Sequence, residues 1–398
     1  MSRKIIQILH HSPSWTSQNL EEDIYNGWHI QTAKAIQKLG IKNCRIECWL
    51  PEKTCHKQYL ETKDDITYRV FPSRVLTYGR EFSPCLINAL KQEVQNQIII
   101  HLHGIFNYLT YAIANNCKSI PIIAQHHGDC PPLSLLSRRK LLYSILPLLI
   151  LENFACRKHL SNIDHFLCLT HACQQSISRF GIDGKTNIQT MGIDFNQFVP
   201  ADKIQVRKKI GLSLDKKIIL YIGRLDQYKA SAEVIYAFNK LKDKMPVESI
   251  IVGAQVSDPY YNLALKSGCT IIPRQRHDRL KQYYQTADLL VLPGSDQYNK
   301  WGGIGVNVIE SLACNTPVVS GTLCHFPEDC SQIGILASKT EKIADGVMHI
   351  LNNPAQYSRC RELAQKYYDW KIIAQNTFTI YERLFLEYYN QNLELSHG

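Results

Sequence analysis

Short, continuous apolar runs rich in β-branched residues alternate with helix-length amphipathic segments along the chain. Six of these runs are KIIQIL (4–9), QIIIHLHG (97–104), IPIIAQHHG (120–128), KIILYIGR (217–224), VESIIVGA (247–254) and ADLLVLPGS (287–295). Strands that are apolar throughout and separated by helices are typical of parallel sheets covered by helices on both faces. The pattern therefore predicts an α/β chain built from two doubly wound units.

Length and one irregular segment predict where the two units divide. Single hydrophobic cores stop growing at about 250–300 residues, and this chain has 398. The segment MGIDFNQFVPADKIQ (191–205) has little periodicity and contains a proline, so it is the candidate joint. We expect a first domain over 1–195 and a second over 200–368, with a C-terminal helix at about 370–390 packed back on the first.

Composition indicates the compartment and the kind of partner. No apolar run approaches the roughly 20 residues that cross a bilayer, and MSRKIIQILHHS lacks the apolar region and cleavage site of a signal peptide, so we expect a cytoplasmic protein. The 14 cysteines include no C-x-x-C pair, which favours reduced thiols. A net charge of +10 favours anionic partners, but no aromatic residues are interleaved with a basic stripe, so nucleic acid is not expected.

Glycines and cations follow the predicted strands. Ligands of open α/β sheets bind beyond the carboxyl ends of the strands, which here carry His103 and Gly104, His127 and Gly128, Gly223 and Arg224, Gly253, and Gly294. In YIGRLDQYKA (221–230) the fork of Arg224 and the point charge of Lys229 suit a diphosphate. The alternative is a pair of solvated surface cations.

The stretch WGGIGVNVIESLACNTPVV (301–319) predicts a phosphate-binding site. It places three glycines before a helix that carries Glu310 on an otherwise apolar face. Glycine lets a ligand approach the backbone, and a helix N-terminus offers N–H groups and a positive dipole end to an anion.

These motifs together resemble the GT-B-fold retaining glycosyltransferases of family 4, also called glycosyl transferases group 1. The second half of the chain matches the family's patterns in the same order, with MGIDFNQFVP, YIGRLDQYK, IIVGA, ADLLVLPGS, GGIGVNVIESLACNTPVV and the terminal YYDWKIIAQNTFTIYERL. In the first half the likeness is looser and rests on HLHG (101–104), AQHHGD (124–129) and NGWHIQTAKAIQKLG, which follows a loop without the family's paired glycines.

The resemblance implies a fold and a reaction. The fold is GT-B, in which two Rossmann-like domains face an interdomain cleft, with the acceptor on the side of the first domain and the nucleotide sugar on the second. The reaction moves a sugar from a nucleoside-diphosphate sugar to an acceptor hydroxyl with retention, in glycan, polysaccharide or glycolipid synthesis. Neither a metal nor a cofactor is implied.

The resemblance also implies roles for individual residues. His127 lies near the transferred sugar, while Arg224 and Lys229 neutralise the leaving diphosphate. Glu310 accepts hydrogen bonds from the ribose hydroxyls. The remaining donor-binding positions are Gly223, Gly303, Ile304 and Gly305, whose backbone faces the diphosphate or the sugar.

One position departs from the family. Its acidic pair is spaced eight residues apart, so the first glutamate would stand at 302, where this chain has Gly302. Three explanations stay open: a different sugar, a substitute side chain such as Asp296 or Lys300, and lost catalysis. The last makes a non-catalytic sugar-nucleotide-binding protein the alternative function. The loop PRQRHDRL (273–280), expected near the base, also departs from the pattern, so the base is left open.

Two further segments have alternative interpretations. A zinc site at His101, His103, His126 and His127 is less favoured than hydrogen-bonded strand-end histidines, because no further ligand pattern lies nearby. The segment 138–160 has basic ends around an apolar middle, as in a helix that lies on anionic lipid and meets a lipid-linked acceptor. The favoured interpretation is instead a helix packed in the first domain, with lysines and arginines that snorkel to water.

Overall fold

A computed structural model describes residues 3–9, 28–76, 80–93, 97–137 and 146–390. The chain divides into two compact units, of which the first is Met1–Gln189 with Lys371–Gly398 and the second is Thr190–Trp370. The division between Gln189 and Thr190 lies directly before the joint at 191–205 expected from the sequence. The loop at 10–26, which the resemblance left uncertain, lies entirely outside the described residues.

The first unit is built on an eight-stranded sheet with the order β10-β9-β8-β7-β1-β2-β4-β3. All neighbouring strands are parallel except β3 and β4. The strands are β1 Arg3–Leu9, β2 Cys44–Glu52, β3 Tyr59–Lys63, β4 Ile66–Pro72, β7 Gln97–His103, β8 Ile122–Gln125, β9 His165–Cys168 and β10 Thr186–Ile188, and a separate hairpin comprises β5 Arg74–Leu76 and β6 Arg80–Phe82.

Helices cover the sheet of the first unit, including one from the far end of the chain. They are α1 Trp28–Gln37, α2 Pro84–Gln92, α3 Tyr108–Asn116, α4 Leu146–Leu160, α5 His171–Arg179 and α14 Trp370–Phe385. Beyond α14, Tyr388 donates a hydrogen bond of 2.5 Å to Asp164, and within it Arg383 lies 3.0 Å from the Nδ1 of His165. The C-terminal segment is therefore held on the first unit by polar contacts as well as by its buried face.

The second unit is a six-stranded parallel sheet with the order β13-β12-β11-β14-β15-β16. Its strands are β11 Lys217–Ile222, β12 Val247–Val252, β13 Thr270–Ile272, β14 Leu289–Leu292, β15 Val318–Ser320 and β16 Gly334–Ile335. Its helices are α6 Lys203–Ile210, α7 Ser231–Lys242, α8 Tyr261–Lys266, α9 His277–Thr286, α10 Asp296–Trp301, α11 Val306–Ala313, α12 Thr340–Asn352 and α13 Cys360–Tyr368.

The predicted α/β architecture with largely parallel sheets is confirmed. The apolar runs are buried strands because their Ile, Val and Leu side chains pack against helices on both faces. Strand order reverses between β1 and β7 in the first sheet and between β11 and β14 in the second, which is where ligands bind in such folds. Among the described helices, none has the length and apolar character needed to cross a membrane.

Candidate functional site

Gly223 and Lys229 are in direct contact where β11 ends. Gly223 has φ +138°, and a Cβ placed on it would lie 2.5 Å from the Nζ of Lys229. Only glycine therefore allows this ammonium to lie against the backbone. Burial lowers the pKa of Lys229, while Asp226 raises it and Arg224 lowers it further. The contact places a half-buried positive charge at the strand end.

The loop that carries both predicted cations is ordered by Asp226. One oxygen of its carboxylate accepts a hydrogen bond of 2.9 Å from the backbone N–H of Lys229. The other oxygen lies 3.4 Å from Arg224, whose side chain is 66% exposed. The two cations thus come from one loop, and Lys229 is the less exposed of the two.

The glycine-rich stretch lies beside the same strand end. Gly303 has φ +63°, and Gly305 is the N-cap of α11, where it provides no side chain to cap the helix. The amide of Asn307, in the first turn of α11, donates a hydrogen bond of 2.9 Å to the carbonyl oxygen of Ile222, the last residue of β11. The structure therefore brings together the start of α11 and the end of β11.

Glu310 is buried, and both of its carboxylate oxygens have protein partners. His277 Nε2 lies 2.6 Å from Oε1, and Tyr284 Oη donates a hydrogen bond of 2.5 Å to Oε2. Burial, and then the carboxylate itself, raise the pKa of Tyr284 well above its usual value, so the hydroxyl keeps its proton. Sequence reasoning did not identify His277 or Tyr284; His277 stands in the loop expected near the base.

Gly302 ends α10 and has no room for a side chain. Its φ is −80°, and its backbone N–H donates to the carbonyl oxygen of Tyr298 at 2.7 Å. A Cβ at this position would lie 2.7 Å from that same oxygen. Of the proposed substitutes, Lys300 places its ammonium 5.4 Å from the ring of Trp301. At the position where the family has a glutamate, this chain therefore has a glycine in close contact with the backbone of Tyr298.

In the first unit, Asp129 joins the loops that follow β7 and β8. One oxygen accepts from the backbone N–H of His127 at 3.1 Å, and the other accepts from Ile105 at 2.7 Å and Phe106 at 2.5 Å. The imidazole of His127 is half-buried, and its Nε2 lies 2.9 Å from His103 Nδ1. His127 therefore belongs to an ordered strand-end loop in a different unit from Lys229 and Glu310.

The histidines of the predicted zinc alternative make protein contacts instead. His103 Nε2 lies 2.6 Å from the amide oxygen of Gln7, and His101 Nδ1 lies 2.5 Å from Tyr381 Oη. Within the described part of the chain, no group of three or more His, Cys, Asp or Glu side chains is arranged to hold a metal ion. The sequence did not identify Gln7 and Tyr381 as further residues of this site. The signals that could have indicated polar contacts are the Gln within KIIQIL and the H-x-H pattern within QIIIHLHG, since both stand in otherwise apolar strands.

Helix α4 contains the described part of the basic and apolar segment; residues 138–145 lie outside the described residues. Only Leu149, Cys156 and Leu160 are buried in it. Leu151 and Phe154 are 67% and 78% exposed, and the last turn is basic, with Arg157 and Lys158. The outer face of α4 is therefore apolar, with cations at one end.

Comparison with known proteins agrees with these motifs. Residues 202–367 match the family model described as glycosyl transferases group 1. The chain is 27% identical over 212 residues to a D-inositol 3-phosphate glycosyltransferase of Mycobacteroides abscessus, covering 50% of this chain and 46% of that protein. It is 26% identical over 194 residues to an uncharacterized glycosyltransferase of Methanocaldococcus jannaschii, covering 46% of this chain and 48% of the relative. The matches span less than half of each relative's length.

Solved structures resemble almost the whole chain. Sucrose-phosphate synthase from Thermosynechococcus elongatus has a TM-score of 0.71 at 18% identity, with 97% of this chain and 100% of that one covered. HepE of Anabaena in complex with UDP has a TM-score of 0.68 at 14% identity, with 96% and 100% covered. Such identities show the fold, which is that of the GT-B glycosyltransferases. The chain therefore has the GT-B fold, and its residues 202–367 resemble the glycosyl transferases group 1 family.

Proposed function

We propose that this protein is a retaining glycosyltransferase that moves a sugar from a nucleoside-diphosphate sugar to an acceptor hydroxyl, in the synthesis of a glycan, polysaccharide or glycolipid. The observation that carries the proposal is the contact of Lys229 with Gly223 beside the uncapped start of α11. A half-buried ammonium and a helix N-terminus at one strand end suit the diphosphate of such a donor.

The same groups explain how the reaction is accelerated. As the bond between the sugar and the diphosphate breaks, negative charge grows on the leaving diphosphate. Positive groups are already in place at that moment and need no reorganisation. They are the side chains of Lys229 and the exposed Arg224, and the backbone N–H groups around Gly303, Ile304 and Gly305. Donors already aimed at the developing charge favour the transition state over the ground state, so no metal is required for this step.

Glu310 holds the ribose in this proposal. A carboxylate has four lone-pair positions, and His277 and Tyr284 each occupy one of them. The two protein donors fix the direction of the carboxylate, and its remaining lone pairs accept from ribose hydroxyls, as acidic residues do in Rossmann-like sites.

The finer features rest on the resemblance. Enzymes of family 4 typically retain the configuration of the transferred sugar and need neither a metal nor a cofactor. The position that His127 matches in that family typically lies beside the transferred sugar. HepE is described in complex with UDP and with UDP-glucose, which supports a nucleoside-diphosphate donor here and makes UDP-glucose the first donor to test. A lipid-linked acceptor is consistent with α4, whose exposed Leu151 and Phe154 would enter the surface of an anionic membrane on its cytoplasmic side.

The test is donor hydrolysis or transfer with a panel of UDP-, GDP- and ADP-sugars, with and without lipid extract, measured as released nucleoside diphosphate. We expect one of the donors to release its nucleoside diphosphate, and we expect lipid extract to increase that release. Arg224→Ala and Lys229→Ala should abolish it with unchanged folding, while Lys209→Ala, at an exposed cation of α6, should not. Near-normal turnover in both site variants would contradict the proposal.

A second function is a non-catalytic sugar-nucleotide-binding protein, and Gly302 is the observation that favours it. The backbone contact with Tyr298 leaves no room for the glutamate that touches the donor sugar in the family. This function predicts that the same nucleotides bind, measured by calorimetry, but that no donor in the panel releases its nucleoside diphosphate.

A further inference from the structure

A chain of hydrogen bonds runs from His127 into the sheet of the first unit. His127 Nε2 lies 2.9 Å from His103 Nδ1, and His103 Nε2 lies 2.6 Å from the amide oxygen of Gln7. The amide nitrogen of Gln7 donates to Tyr381 Oη at 2.9 Å, and Tyr381 Oη lies 2.5 Å from His101 Nδ1. The chain of hydrogen bonds therefore joins the loop after β8 to β7, β1 and α14, and β7 and β1 are the strands between which the strand order reverses.

The amide of Gln7 determines which groups donate and which accept in the hydrogen bonds between Gln7, His103 and His127. A carbonyl oxygen only accepts, so the proton between Gln7 and His103 is on His103 Nε2. His103 is 1% exposed, and burial disfavours a charged imidazolium, so its Nδ1 carries a lone pair. That lone pair accepts from His127, whose Nε2 must then carry the proton.

The far end of the chain is consistent with the same direction. Tyr381 accepts from Gln7, and its own proton is available to His101 Nδ1. Burial lowers the pKa of His101 to about 3, against a smaller raising effect of Gln125, so His101 is neutral and its Nδ1 accepts in the tautomer protonated at Nε2. Burial also raises the pKa of Tyr381, which keeps the phenol protonated. Each bond thus has one donor and one acceptor.

From this geometry we infer that His103, held by Gln7, is a positioning residue that keeps His127 in the tautomer protonated at Nε2, with Nδ1 as a hydrogen-bond acceptor. In that state the Nδ1 of His127 can only accept a hydrogen bond and cannot donate one. The tautomer follows from contacts within the first unit alone, whereas its effect on turnover rests on the proposed function.

The tautomer can be read directly from long-range ¹H–¹⁵N spectra of the full-length protein with ¹⁵N-labelled histidine, with His127 assigned from its loss in His127→Gln. We expect the wild type to show His127 protonated at Nε2. Gln7→Met removes the acceptor of His103 and should give a mixture of tautomers at His127. Tyr381→Phe removes one bond from the same chain beyond Gln7 and should leave His127 unchanged.

Two spectral results would overturn the inference: His127 protonated at Nδ1 in the wild type, or the same tautomer in Gln7→Met as in the wild type. The wild-type spectrum is decisive even if a variant fails to fold. Where turnover is measurable, Gln7→Met should lower kcat about tenfold or more with little change in KM, and Tyr381→Phe should lower it less. An inactive wild type with the expected spectrum would contradict the proposed function and leave the tautomer assignment standing.

Discussion

His277 Nε2 lies 2.6 Å from the carboxylate of Glu310, 33 residues further along the chain. The histidine side chain is 59% exposed, whereas that of Glu310 is 1% exposed. Tyr284 holds the other oxygen from the buried side. Glu310 is therefore a fixed and buried carboxylate, and of these two partners only His277 is largely exposed to solvent.

Glu310→Gln should weaken nucleoside diphosphate binding about tenfold or more, because hydrogen bonds to a charged group contribute about 1.5–3 kcal/mol. It keeps the size of the side chain and an oxygen for Tyr284, so the melting temperature should change little. Tyr284→Phe should lower the melting temperature but change nucleotide affinity little, since it removes a buried hydrogen-bond donor but no ribose contact. Calorimetric titration and thermal unfolding measure the two effects. Equal nucleotide affinity in Glu310→Gln and the wild type would exclude Glu310 from the ribose site.

Nucleoside diphosphate affinity should fall as pH rises through the alkaline range below 10.5. Burial holds the pKa of Lys229 below 10.5, with Asp226 opposing and Arg224 adding to the effect, so this lysine loses its charge earlier than an exposed one. A bound diphosphate favours the charged form, so binding takes up a proton in this range. Titrations across the range should show a steeper loss of affinity in the wild type than in Lys229→Met. The same slope in both proteins would mean that another group is responsible.

Asp288 should make the second unit sensitive to acid. Its carboxylate accepts from Arg207 at 2.7 Å and from the backbone N–H of Ile218 at 2.8 Å. Burial alone would raise the pKa of Asp288, but Lys203, the Ile218 N–H and Arg207 lower it below 3.8. A lowered pKa gives stability that is present above the unfolded-state pKa of about 3.9 and is lost as pH falls through the folded-state value.

Asp288→Asn should therefore cost about 3 kcal/mol of unfolding free energy at pH 7, since it leaves Arg207 without its charged partner. The difference from the wild type should shrink below about pH 4. Urea denaturation at both pH values measures it, with Asp215→Asn, at an exposed carboxylate, as the control. A difference that does not change with pH would contradict the role of the Asp288 charge.

Local pattern predicted most of the fold. KIIQIL and QIIIHLHG are the strands Arg3–Leu9 and Gln97–His103, because continuous apolar runs must be covered on both faces. The contact of Lys229 with Gly223 is also local, since only six positions separate the two residues along the chain. Contacts between distant parts of the chain were not predicted. Gln7 and Tyr381 are 374 positions apart, and the spacing of residues in the sequence carries no information on such contacts until the strands and helices are packed.

Helix α4 should bind anionic membranes through Leu151 and Phe154, which are 67% and 78% exposed. Inserting two such side chains contributes a few kcal/mol, and the basic last turn adds a salt-dependent attraction. We expect the wild type to sediment with anionic liposomes at low salt, and Leu151→Ser/Phe154→Ser to lose at least about tenfold in affinity. Val256→Ser, at an equally exposed apolar residue of the second unit, is the control. Wild-type protein left in the supernatant would favour the packed-helix interpretation.

Gly302→Glu should not create a working acidic pair. A Cβ at this position would lie 2.7 Å from the carbonyl oxygen of Tyr298, so any side chain must displace the end of α10. Overpacking of this kind costs about 1–3 kcal/mol, and Gly302→Ala should lose a similar amount of unfolding free energy because it has the same Cβ.

The two variants separate the steric effect from the chemical one. If the close contact determines the residue at 302, both lose stability and neither gains in kcat or in choice of donor sugar. If the missing carboxylate is what limits the protein, Gly302→Glu alone should raise sugar transfer above that of Gly302→Ala. Since the backbone N–H of Gly302 already bonds the same Tyr298 oxygen at 2.7 Å, we expect the first result, because the end of α10 closes on a position that has no side chain.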